Sequence, residues 1–199
     1  MNIFWTSNSS HDCSRDLDSV RRISQIKESW QMISTCLRAA GLEDKIKKEL
    51  GIELVKSTHE NHPCTKWVSR RAMNMLWLVD HALYMCEHHG ECRTTGQMHV
   101  YFGPLDVLFG EMSDAFDGKD NVLSALDWTE KRIEEPVNCA KSDELGIDYT
   151  HVDDVYTAYQ FYLNHKWSLQ KKPPTWHIKG GPIDPPKWYM PNFAAVVEE

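Results

Sequence analysis

The stretch Val20-Arg21-Arg22-Ile23-Ser24-Gln25-Ile26-Lys27-Glu28-Ser29-Trp30-Gln31-Met32-Ile33-Ser34-Thr35-Cys36-Leu37 sets the fold class. Its apolar residues Val20, Ile23, Ile26, Trp30, Ile33 and Leu37 step by three and four, the spacing of one helix face. They predict a long helix over Asp16–Ala40, stopped by Gly41.

Working outward, a second long helix is predicted from Pro63, which suits a first turn, to His89, with Gly90 as the stop. Val68, Ala72, Leu76, Val79, Leu83 and Cys86 form one stripe, read as its core face. The opposite stripe holds Arg70, Asn74, Trp77, His81, Tyr84 and His88. A surface helix normally carries a plain charged outer face. This mixture of aromatic and hydrogen-bonding groups reads instead as the wall of a site, with a solvated face as the plainer alternative.

Asp44–Leu50 reads as a short charged helix. Gln97–Phe116, interrupted at Gly103-Pro104, and Asn121–Glu135 give two weaker helices. Val152–Gln170 gives a strong one, with Asp153 and Asp154 placed favourably for the helix dipole. Asn2–Thr6 and Ile52–Lys56 read as short strands, and Pro136–Thr150 as a loop. The tail Pro173–Pro191 holds six prolines and reads as an extended strap anchored by Trp176, Trp188 and Tyr189. The expectation is a mainly α, single-domain helical bundle with one or two short N-terminal strands and an extended Pro-rich C-terminal strap. The helical body spans 1–172, and the tail 173–199 packs on it.

The chain has 199 residues, enough to bury a core without disulfide or metal staples. No run of about 18 apolar residues marks a membrane span. Met1-Asn2-Ile3-Phe4-Trp5 lacks the basic-then-apolar order of a secretory signal, so a cytoplasmic protein with reduced cysteines is expected. The net charge of −7 argues against a general nucleic-acid coating protein, though not against a local basic groove. Arg21, Arg22, Lys66, Arg70 and Arg71 are the cations expected to make such a groove.

The densest polar cluster is Thr58-His59-Glu60-Asn61-His62-Pro63-Cys64-Thr65-Lys66-Trp67. It lies where a loop enters a helix, and free backbone N–H groups there favour an anion such as phosphate. Lys66 and Arg70 add charge-assisted donors, and a histidine so placed can move a proton near neutral pH. The alternative is a loop pinned by satisfied polar side chains. Cys86-Glu87-His88-His89-Gly90-Glu91-Cys92 fits no common structural zinc pattern, so no metal site is expected. No Gly-rich phosphate loop or nucleophile elbow is present.

Several blocks occur in a recognisable order: Met1-Asn2-Ile3-Phe4, Leu17-Asp18-x-x-Arg21, Gln25, Glu28, then Thr58-His59-x-Asn61-His62-Pro63-Cys64-x-x-Trp67. Asn74-x-x-Trp77-Leu78, Asn138-Cys139, Val155-x-x-Ala158-Tyr159 and Lys166-Trp167 follow. This order resembles small bacteriophage proteins related to the α-glutamyl/putrescinyl-thymine pyrophosphorylases, also called amino acid:DNA transferases. Two departures mark a divergent member. Ser19-Val20-Arg21 and Ser24 stand where members carry an Asp-Lys-Arg or Asp-Lys-His run followed by a lysine, and His165 stands where they carry an acid.

The resemblance implies a helical, distantly DNA-glycosylase-like fold encoded by a phage and working in the host cytoplasm. Its implied substrate is double-stranded phage DNA carrying pyrophosphorylated 5-hydroxymethyluracil, onto which an amino acid or polyamine is transferred. Trp67 and Trp77 are then candidates to stack the base. Arg21, Lys66, Arg70 and Asn61 would meet the pyrophosphate and the DNA backbone. His59 or His62 would take the amine proton, with Asp18 or Glu28 orienting a partner. No cofactor is required, although magnesium could assist the pyrophosphate. The other readings are a non-catalytic protein that binds DNA or a modified base, and a base-excising glycosylase using Asp18 or Glu28.

Overall fold

The computed structural model describes residues 2–92, 97–178 and 181–193, with Glu91, Cys92 and Ile178 described in backbone only. These residues form seven α-helices: α1 (Ser10–Asp16), α2 (Ser19–Ala39), α3 (Glu43–Leu50), α4 (Pro63–Arg70), α5 (Ala72–Cys92), α6 (Phe102–Phe116) and α7 (Val155–Ser168). Two short antiparallel hairpins complete the described structure. One pairs β1 (Lys141–Ser142) with β2 (Ile147–Asp148), the other β3 (His177–Ile178) with β4 (Gly181–Pro182). The fold is mainly helical, as its sequence pattern predicts.

α2 and α5 form the central pair, and α1, α4 and α6 pack around them. The first long helix predicted from sequence is broken near its start. The polar run at Ser9–Asp12 begins α1, with the Ser9 hydroxyl capping the Asp12 amide at 3.2 Å. Leu17 and Asp18 are extended, and α2 starts after them. The buried Arg22 guanidinium holds this corner. It donates to the carbonyls of Ser14 (3.2 Å) and Leu17 (2.9 Å), groups that the end of α1 leaves unpaired, and to that of His177 (3.0 Å) in β3.

The apolar stripe of α2 also divides. Ile26, Trp30, Ile33 and Leu37 are buried, but Val20 is 73% and Ile23 45% exposed. Two successive steps of three turn Val20 about 120° away from Ile26 on a helix of 3.6 residues per turn.

The second long helix breaks at Arg71, whose backbone is extended. Asn74, fully buried, bridges the break, donating to the Trp67 carbonyl at 2.7 Å and accepting from the Glu134 amide at 2.8 Å. Asn74, Trp77, His81 and His88 do not form an open wall. They are buried because α5 is the central helix, covered on both sides.

Asn2–Thr6 is buried and extended but pairs with no strand among the described residues. It threads between helices. Trp5 stacks on Trp77 with centroids 3.8 Å apart, Phe4 stacks on Tyr162, and Gln160 donates to the Thr6 carbonyl. Ile52–Lys56 is likewise no strand, its Leu54 and Val55 carbonyls being taken by the Arg38 guanidinium. Asn121–Glu135 forms only one 3₁₀ turn, Val122–Ala125, and Gly103-Pro104 lies in the first turn of α6 instead of interrupting it.

The Pro-rich strap packs through its tryptophans. Trp188 stacks on Trp167 and Trp176 meets it edge-on, while both indole N–H groups donate to Asp16. The strap's last residues, 194–199, lie outside the described residues. No described helix is long and apolar enough to cross a membrane.

Candidate functional site

A polar cavity of about 270 Å³ opens between α2, α7 and the hairpin of β1 and β2. α2 supplies Arg21, Ser24, Gln25 and Glu28, which recur at three and four residues and so share one face. Tyr162 and Lys166, one turn apart on α7, line the opposite side, with Lys141 at the rim. The extended N-terminal segment closes the cavity with Asn2 and Phe4.

Arg21 is held firmly. Its Nη1 donates to Asp18 Oδ1 at 2.8 Å, with both side chains buried, and the guanidinium lies over the Trp167 ring at 5.7 Å. With its carboxamide oriented by hydrogen bonding, Gln170 accepts from Arg21 Nη1 at 3.1 Å and Nη2 at 2.6 Å. Asp18 also accepts from Trp167 Nε1 at 3.0 Å. Asp18 is therefore an anchor behind the cavity that fixes the cation facing it.

Glu28 accepts from the main-chain nitrogen of Asn2 at 3.0 Å. Lys166 lies 3.4 Å from the Tyr162 hydroxyl, and burial, then the neighbouring Arg21, hold its ammonium below its ordinary pKa. Lys141 also meets Asp143 at 3.1 Å and Asp148 at 3.7 Å. The cavity thus sets cationic side chains against one carboxylate, with an amine that gives up its proton more readily than an exposed lysine.

Asn2 joins this site to the Thr58–Trp67 block. Its Oδ1 accepts from Tyr159 at 2.8 Å and its Nδ2 donates to the Cys139 carbonyl at 3.1 Å. Cys64 Sγ lies 3.6 Å from Asn2 Oδ1. The Cys64 and Cys139 thiols contact each other, which pushes the Cys64 pKa up and the Cys139 pKa down.

The residues singled out from sequence fall into separate groups. Asp18, Arg21 and Glu28 come together. His59, Asn61 and His62 line a second cleft of about 490 Å³ on the loop before α4. His59 has φ of 52°, the left-handed region that a non-glycine residue rarely adopts. His62 Nδ1 caps α4 by accepting from the Cys64 amide at 3.2 Å. Burial lowers its pKa, and the nearby Glu28 carboxylate opposes that shift. Lys66 is exposed on α4, and Arg70 is taken by Glu134 at 3.1 Å.

Two expectations are corrected. Trp67 is fully buried and Trp77 is 5% exposed, packed against each other and Trp5, so neither presents a face to a base. Both sit where α4 and α5 meet the N-terminal segment, at the centre of the core. The cations do not form one groove either. Arg21 and Arg22 are buried in polar contacts of their own, apart from Lys66, Arg70 and Arg71. Sequence reasoning gave no role to Lys166, Tyr162 or Asn2, although Lys166 and Asn2 belong to the blocks that carry the resemblance. Among the described residues no three His, Cys, Asp or Glu side chains converge as metal ligands. The side chain of Cys92, weighed above for zinc, lies outside the described residues.

Residues 1–96 match the family model described as pyrimidine dimer DNA glycosylase. This part is therefore DNA-glycosylase-like in sequence. It carries Asn2, Asp18, Arg21 and Glu28, and ends before Lys141, Tyr162 and Lys166. No curated protein and no solved structure matches the chain.

Proposed function

We propose that this chain acts on a thymine-derived base in DNA from the cavity between α2 and α7. The proposed reaction transfers the amine of an amino acid or polyamine onto pyrophosphorylated 5-hydroxymethyluracil. The observation that carries this reading is the placement, in one small polar cavity, of a fixed guanidinium (Arg21) and a half-buried ammonium (Lys166) with one lining carboxylate (Glu28).

The chemistry balances as a substitution at the exocyclic methylene carbon. The carbon–oxygen bond to pyrophosphate breaks, and its electron pair leaves with pyrophosphate. The amine lone pair forms the new carbon–nitrogen bond, and one ammonium proton must depart. Arg21 and Lys166 neutralise the leaving anion. Charge fixed in place before the reaction stabilises such an anion without reorganisation, and in many active sites it lowers the barrier more than any other effect. Glu28 takes the proton, with His62 as the second acceptor within its field. Asn61, Lys66 and Arg70 lie on the loop and α4 and are assigned to the DNA backbone. His59 lies beside them, Asp18 positions Arg21, and magnesium would assist the pyrophosphate.

The family match favours a second reading, base excision with Glu28 as the assisting carboxylate. The transition state of glycosidic cleavage gains positive charge on the sugar. Arg21 is paired with Asp18 and Lys141 with Asp143 and Asp148, which leaves the Lys166 ammonium as the cation that opposes that charge and suits an anionic leaving group. The test is to incubate the protein with DNA carrying pyrophosphorylated hydroxymethyluracil and a panel of amino acids and polyamines. Nucleosides are then read by mass spectrometry. A donor-dependent adduct with equimolar pyrophosphate is expected. Abasic sites in dimer-containing DNA, with no adduct from any donor, would transfer the assignment to excision.

A further inference from the structure

The first two turns of α2 expose apolar side chains beside the cavity. Val20 (73% exposed) and Ile23 (45%) share the solvent face of the helix with Ser24 and Lys27. Ser24 also lines the cavity, and Val20 lies one turn before it on α2. Leu169, at the end of α7, is 52% exposed. The chain after it is tied twice to the same part of α2. Gln170 holds the Arg21 guanidinium, and the Thr175 carbonyl accepts from the Ser19 amide at 2.9 Å. Lys171 and Lys172, both exposed, lie between these two anchor points.

A single exposed valine needs no explanation. Here Val20 and Ile23 share one exposed face of α2 with Lys27, and Leu169, Lys171 and Lys172 are exposed on the segment tied to the start of that helix, in a chain whose net charge is −7. Lysines flanking an apolar ridge match a polyanion with an apolar interior, which is what a base stack between two phosphate backbones presents. An enzyme that draws a base into a cavity must also support the gap left behind.

We propose that Val20 and Ile23 form a wedge that enters the DNA base stack in the place of the base drawn into the cavity, while Lys27, Lys171 and Lys172 hold the flanking phosphates. The proposal rests on the reading of the cavity as a DNA-base site and adds the surface by which the duplex is engaged.

The test uses the full chain and a duplex with one unphosphorylated 5-hydroxymethyluracil beside a 2-aminopurine, whose fluorescence rises when it loses its stacking partner. Wild-type protein should bind and raise the fluorescence. V20S/I23S changes exposed positions, and its helical circular dichroism should match wild type. It should bind about tenfold more weakly or worse, through lost apolar contact, with an unchanged salt slope and no fluorescence rise. V20S alone, at the more exposed position, should show part of both losses. K171Q/K172Q should keep the rise but reduce the salt slope by about two, near 0.9 per lost phosphate contact. A V20S/I23S protein that binds and unstacks as wild type does overturns the wedge and leaves the cavity reading intact. Wild-type protein that fails to bind this duplex at low salt overturns both.

Discussion

The main-chain nitrogen of Asn2 and the carboxylate of Glu28 meet at 3.0 Å, so the start of the chain is fastened to α2 at the wall of the cavity. Glu28 therefore has two separable properties, an acceptor that secures the N-terminal segment and a charge that faces the cavity. Glu28→Gln keeps an acceptor oxygen and removes the charge. Its urea midpoint should stay close to wild type, while the rate of adduct formation falls on the order of 10²-fold or more, as for loss of a positioned base. Glu28→Ala should lose the rate and also about 1–3 kcal/mol of stability, because a part-buried amide loses its partner. Equal rates for Glu28→Gln and wild type would remove Glu28 from the chemistry.

Asp18 sits behind the cavity, and its contribution should appear first in stability. It is 2% exposed, pairs with Arg21 and accepts from the Trp167 indole. Asp18→Ala leaves a buried guanidinium without its counter-charge, a change that costs about 3–5 kcal/mol. Chemical denaturation should show that loss with an unchanged dependence on denaturant concentration. A midpoint within experimental error of wild type would mean that Gln170 and solvent suffice to hold Arg21.

His62 carries a structural role and a proposed chemical one, and two substitutions separate them. Its Nδ1 accepts from the Cys64 amide, so the ring proton is assigned to Nε2. His62→Ala should cost about 1 kcal/mol through the lost cap. His62→Asn restores a capping oxygen and should recover most of that. If His62 shares proton transfer with Glu28, both variants slow the reaction alike. Recovery of full rate in His62→Asn would leave the residue as a cap only.

The helical class was legible because strong three-and-four periodicity fixes element type. The breaks were harder to read, since both depend on distant partners. Arg22 reaches His177 across the fold to hold the end of α1, and Asn74 reaches Glu134 at the Arg71 break. Asn2–Thr6 has the composition of a strand, but its neighbours are helices, and side chains take up the Asn2 amide and the Thr6 carbonyl. Within the cavity, Arg21 and Glu28 could be associated from their spacing of seven on one helix. Lys166 and Lys141 could not, because only the return of α7 and the β1–β2 hairpin brings them to α2. Trp67 and Trp77 have the composition of a stacking platform, and burial by Trp5, a long-range event, makes them core instead.

The docking of α1 on α5 should make stability fall in mild acid, with His81 and His88 as the titrating groups. His81 is 1% exposed and stacks on Trp77 at 5.1 Å. Its Nδ1–H donates to the Ser10 carbonyl at 3.0 Å, and Nε2 is buried without a partner. A proton on Nε2 would therefore place a charge in an apolar enclosure, and burial pushes the pKa down from 6.5 to about 4. His88, buried near Arg22, His11 and Arg15, is also pushed down to about 4. In the unfolded chain both rings take a proton near pH 6.5, so the unfolded state binds more protons as pH falls below that value. The stabilisation is fully present above about pH 6.5 and is lost as pH falls towards about 4. For His81 a difference of this size corresponds to about 3 kcal/mol. Asp80 and Asp16 act the other way, because burial raises their carboxyl pKa values and protonation favours the folded form. A single pH profile mixes these effects, and the comparison with His81→Gln separates them. The glutamine amide can still donate towards Ser10 but does not titrate. Unfolding midpoints measured from about pH 7.5 to 4.5 should fall more steeply for wild type than for His81→Gln. Parallel profiles for the two proteins would show that His81 does not control the acid sensitivity of the α1–α5 interface.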